Sequence, residues 1–132
     1  MIETKVAFIS LLEPDVLRIE YKPDCFVDME EFEENLRAYR ELMTTERAYL
    51  LTVANQGAES SPAVRNTFAS AERSRFKIAE AFVVQSPAQR IVANFVMRVQ
   101  RPKHRLKFFS DEEAARTWLY EQRANDFAGK NH

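Results

Sequence analysis

Glycine is almost missing from this chain of 132 residues: only Gly57 and Gly129 are present. A dinucleotide-binding fingerprint needs three glycines within six residues, a phosphate-cradling loop needs two, and a nucleophile elbow needs two flanking one serine. None of them can be written with two glycines so far apart. One cysteine, Cys25, excludes an internal disulfide and a multi-cysteine zinc site; two histidines, His104 and His132, exclude an HExxH helix. Long apolar runs are missing too, since none approaches the roughly 20 residues that span a bilayer. The start, Met1-Ile2-Glu3-Thr4-Lys5, lacks the apolar run of a secretory signal. With a lone thiol, the expected address is the cytoplasm. Nor does one sign of charge dominate: 19 basic against 20 acidic side chains leave −1, so no global field points to nucleic acid or membrane.

What is present is enough apolar material for one core. The chain is 45% hydrophobic and 30% charged, as a single soluble domain requires. That domain is expected over residues 1–124, with a polar, frayed tail over 125–132. Val6 to Leu12 (VAFISLL) reads as a strand, Glu13-Pro14-Asp15 as a turn, and Val16 to Tyr21 (VLRIEY) as an alternating, half-exposed strand hairpinned to the first. Asp28 with Glu31 three residues on starts a helix whose stripe is Phe32, Leu36, Tyr39, Leu42 and Met43. Ala48 to Ala54 (AYLLTVA) is apolar throughout, as a central strand covered on both faces must be.

The alternation then continues. Ser61-Pro62 opens a second helix with a stripe of Val64, Phe68, Ala71 and Arg75. Ala79 to Gln85 is a strand, and Ser86-Pro87 with Gln89 starts a third helix carrying Ile91, Val92, Phe95, Val96 and Val99 to its end at Arg101-Pro102. Leu106 to Phe109 is a last strand. Ser110 to Glu113 reads as a capping box for a closing helix with Ala114, Ala115, Trp118 and Leu119 inward. The order ββαβαβαβα makes this an α/β protein with a mixed sheet: an N-terminal hairpin, then parallel strands with helices packed on the sheet.

The stretch Lys107 to Leu119 (KFFSDEEAARTWL) resembles the closing strand and helix of STAS-like, or SpoIIAA-like, bacterial domains, relatives of anti-sigma-factor antagonists. The resemblance also rests on the order of elements and runs from Val6 to about Glu121. The antagonists carry Asp-Ser-Ser-Gly, phosphorylated on serine, where this chain has Glu59-Ser60-Ser61-Pro62. The resemblance thus implies a phospho-switch at Ser60 or Ser61 and a protein partner. That architecture is also similar to a family of lipid-carrier domains, which implies an apolar ligand cavity.

Other candidates come from the residues themselves. Ser61 before proline is explained by capping alone. Arg98, Arg101, Lys103, Arg105 and Lys107 form a basic run that would suit a phosphate, an anionic headgroup or an acidic partner, and would equally complement a helix end. The run lacks interleaved aromatics, so nucleic acid is not expected. Val92, Phe95, Val96 and Val99 cover more than one stripe, so their helix should be buried on two sides, the second being a ligand, a neighbouring helix or another copy of the chain. In a homodimer, the outward members would be Val92 and Val96. Cys25 is expected to be an inert packed thiol and His104 an exposed loop residue. No catalytic constellation, metal site or cofactor site is recognisable among these residues. The expected function is therefore a non-catalytic regulatory or interaction module, self-associated as a homodimer; the alternative is a carrier or sensor of a small apolar or lipid-like ligand. An enclosed cavity above some 300 Å³ would favour the carrier, a filled interior the module.

Overall fold

The computed structural model describes residues 1–68, 70 and 75–130. A two-residue edge strand, β1 (Ile2–Glu3), precedes β2 (Ala7–Glu13), which turns through Pro14-Asp15 into β3 (Val16–Tyr21) with Ile9 opposite Ile19. A short β4 (Phe26–Val27) leads to α1 (Met29–Leu42). Asp28 caps α1 through a full capping box: its own backbone N–H donates to Glu31 Oε1 at 2.9 Å. Strand β5 (Ala48–Ala54) has all seven residues buried. After β6 (Glu59–Ser60), α2 runs over Pro62–Phe68, β7 over Lys77–Val83 and α3 over Pro87–Phe95. A π-helical turn, Val96–Gln100, prolongs α3 and ends on Arg101 at φ 48°. Strand β8 (Arg105–Phe109) and the long α4 (Glu112–Lys130) close the chain.

The main sheet has the order β1-β2-β3-β5-β7-β8, antiparallel through the hairpin and parallel from β3 onward. The α/β class, the hairpin and the interior place of 48–54 beside β7 agree with the sequence reading. A separate two-stranded parallel pair, β4 with β6, joins the loops beyond β3 and β5; strands this short leave no periodic signal. On one sheet face, Ala115 and Leu119 of α4 pack against Val16, Leu51, Val53, Ala81 and Val83. On the other face, Leu36 and Tyr39 of α1 and Val64 of α2 pack over Ile9, Leu17, Ile19 and Leu50.

Several sequence expectations need correction. The strand expected at 79–85 starts and ends two residues earlier, because Lys77 is carried into the sheet by its pairing with Ala48. Of the second helix's stripe, Val64 is buried and Phe68 is its last helical residue; Ala71 lies outside the described residues and Arg75 sits exposed in a turn. The cap of α4 is Asp111, not Ser110: its Oδ2 accepts from the Ala114 N–H at 2.9 Å. Ala114 is exposed, since the face set by Ala115 and Leu119 turns it away from the sheet. Nor is 125–130 a frayed tail. It continues α4, held where Asp126 accepts from the Tyr49 hydroxyl at 2.5 Å and pairs with Arg105.

Candidate functional site

The parallel crossovers place α1, α2 and α3 on one side of the sheet, yet α3 does not lie down on it. Between the helices and strands β5, β7 and β8 there is a cavity of about 630 Å³. Its roof is Val92, Ala93 and Val96 from α3 and the π turn, with Val64 and Phe68 from α2. Its floor is the sheet face of Leu50, Thr52, Glu80, Phe82 and Phe108. Phe82 is only half-buried although its strand is paired on both sides, because its ring faces the open cavity. Phe82 stands edge-on to Phe68 with centroids 6.0 Å apart and tilts against Phe108 at 5.2 Å. Such a wall is apolar and suited to flat or aliphatic groups.

Exposed members of the lining mark the mouth: Asp24, Gln56, Gly57, Glu59 and Ala88. They lie beyond the carboxyl ends of β3, β5 and β7, where open α/β sheets form their binding crevices. Gly57 is required there. It adopts φ +81°, and a Cβ on it would come within 1.9 Å of Asp24 Oδ1. Asp24, itself at φ 57°, donates its backbone N–H to the Gln56 carbonyl at 3.1 Å, fixing the rim.

Deep in the cavity, away from the rim, the floor is charged. Glu80 is 1% exposed and both its oxygens are engaged. Thr52 Oγ1 donates to Oε2 at 2.7 Å, while Lys77 Nζ at 3.2 Å and His104 Nε2 at 2.9 Å share Oε1. Lys77 Nζ also sits 4.1 Å from the Phe68 ring centroid. Burial alone would push the Glu80 carboxyl up; the Lys77 charge, the His104 contact and the Thr52 hydroxyl outweigh it and bring it down to about 2. Glu80 is therefore an anion at neutral pH and a weak proton acceptor, and His104 Nε2 carries the hydrogen that points at it. The cluster can orient a polar group of a ligand, with Thr52, Lys77 and Glu80 all lining the cavity. Nearby, burial holds the Tyr39 phenol well above its usual range and neutral.

The sequence reading missed this cluster. His104, expected at the surface, is buried, because the turn after the π segment folds it under Phe68 with ring centroids 6.0 Å apart. The available signal was Glu80 itself, a carboxylate between Ala79 and Ala81 in a strand otherwise apolar. The expected sites are dispersed. Ser61 is buried and its Oγ accepts from the Val64 N–H at 3.2 Å, as a cap; Ser60 is half-buried on the cavity wall. Arg98, Arg101 and Lys103 are exposed beside α3. Arg105 and Lys107 alternate onto the α4 side of β8, where Arg105 meets Gln122 and Asp126 and Lys107 lies over Phe109. Those five bases are thus not one patch. Val92 and Val96, expected outward, face the cavity, while Phe95 and Val99 are exposed, because the contact side of α3 runs through Ala93. Cys25 is half-buried, and burial pushes its thiol up, away from the reactive thiolate.

Among the described residues, no group of three or more His, Cys, Asp or Glu side chains is placed to hold a metal ion, and no helix is long and apolar enough to cross a membrane. Fold and site together define a mixed α/β domain, hollow on one sheet face over a buried ion cluster. The chain belongs to the domain family of unknown function DUF7793, whose family model matches residues 10–123. No curated protein and no solved structure matches it.

Proposed function

We propose that this protein is a carrier or sensor that binds a small, largely apolar molecule between its sheet and helices α2 and α3. The observation that supports this reading is the cavity itself. At about 630 Å³ it lies within the ordinary range for small-molecule sites and well above the void a solid core tolerates. Its aromatic and aliphatic walls suit an apolar body, and the Thr52, Lys77 and Glu80 end suits one polar group. Of the two resemblances in the order of elements, the one to lipid-carrier domains fits this reading, and the proposed site of action is the cytoplasm. A regulatory interaction module expects a filled interior and a free switch hydroxyl at Ser60 or Ser61; Ser61 caps α2, and Ser60 is half-buried on the cavity wall.

Native mass spectrometry of the purified protein tests the proposal, together with a fluorescent apolar probe titrated against wild type and Ala93→Phe. Ala93 is 2% exposed and lines the cavity, so a phenylalanine there fills the empty space. The expected result is a co-purified small molecule or saturable probe binding in the wild type. In the folded variant, binding falls at least about tenfold, since the ligand's burial is blocked. Equal probe binding by both proteins would overturn the proposal.

A further inference from the structure

Helix α3 has two apolar sides, and only one is covered. Val92, Ala93 and Val96 roof the cavity, whereas Ile91, Phe95 and Val99 form an outer row with exposures of 70%, 48% and 60%. Met97, 45% exposed, lies beside them. A contiguous apolar row left in water on successive turns is the mark of a contact surface. The row next to it on the helix is Arg90, Asn94 and Arg98, and Arg101 and Lys103 continue it past the π turn. From residue 81 to residue 110 the chain contains six bases and no acid. Arg90, Arg98, Arg101 and Lys103 make no ion pair among the described residues.

We propose that the outer face of α3 docks on an anionic lipid surface. Ile91, Phe95 and Val99 would enter the boundary beneath the headgroups, and the flanking arginines and Lys103 would lie among the phosphates. Charge decides between the occupants. A second copy joined antiparallel, through a two-fold axis perpendicular to α3, would bring the two basic rows together, like charge against like. The apolar row of one nine-residue helix and its five-residue π turn is also a small part of the roughly 800 Å² per partner that a stable dimer buries. A lipid surface needs only shallow insertion of a few large side chains with cations beside them, long enough to reach the headgroups. Negative surface potential supplies the complement that this acid-free segment lacks. The inference stands on the exposed face and not on the cavity.

Co-sedimentation with vesicles tests it, using phosphatidylcholine alone and phosphatidylcholine with about one third phosphatidylglycerol, the anionic fraction that creates a surface potential. Wild type should pellet with the mixed vesicles, not with the neutral ones, and should be released at high salt. Ile91→Asp and Arg98→Glu each change an exposed residue, so both variants should keep the wild-type circular dichroism spectrum. Each should lower the bound fraction at least about tenfold. Failure of the wild type to bind the anionic vesicles, or undiminished binding by both folded variants, would overturn the inference. A wild-type dimer that Ile91→Asp dissociates, with no vesicle binding by either protein, would also overturn it and assign the face to a second copy.

Discussion

Glu80 shows what a single buried charge does to this molecule. Its carboxylate joins Thr52 on β5, Lys77 on its own strand and His104 ahead of β8, so one side chain ties three strands together below the cavity. Because the folded state holds its carboxyl near 2 against an ordinary 4.5, the stabilisation is fully present above about pH 4.5 and is lost as pH falls toward 2. Converting that difference gives on the order of 3 kcal/mol for a group this buried. We therefore expect urea midpoints of the wild type to drop through that acid window. Glu80→Gln should be less stable at pH 7 and should show a much shallower drop on acidification. Equal pH dependence of the two proteins would show that the acid sensitivity lies elsewhere.

At the scale of elements, helix starts were the most legible feature of the sequence. Asp28 and Ser86 cap where their spacing says they should, and Gln89, in the capping-box position, reaches back to the Gln85 N–H instead of the cap residue's own. Ser61 is the third such cap, and Ser61→Ala should cost about 1 kcal/mol in thermal or urea unfolding through the lost bond to the Val64 N–H. A loss near zero would mean that Pro62 alone sets the helix start. Stability must be measured before any signalling defect of that variant is interpreted. Strands were legible where burial is uniform, as in β5, or where alternation is clean, as in β3. Helix α3 was legible only in part, because periodicity counts apolar sides without saying what covers them. Val92 facing a void and Phe95 facing water look alike in the sequence. The ion cluster was not legible for a related reason: the pairing of β5 with β7 and the fold of the 101–104 turn bring Thr52, Glu80 and His104 together across long sequence separations.

For the whole molecule, the two faces of the sheet are built unequally. The face under α4 is filled by Leu51, Val53, Ala81, Val83, Ala115 and Leu119, while the face under α2 and α3 is packed loosely around the cavity. Hydrostatic pressure acts first where packing is loosest, because collapse or hydration of a poorly packed region lowers the volume of the system. Compression of the unliganded protein should therefore disturb the amide and methyl resonances of β7, α3 and the π turn first. Leu119 and its neighbours should keep theirs to higher pressure. A uniform response of both faces would contradict this, and a molecule seated among Phe68, Phe82 and Phe108 would abolish the difference by occupying the compressible half.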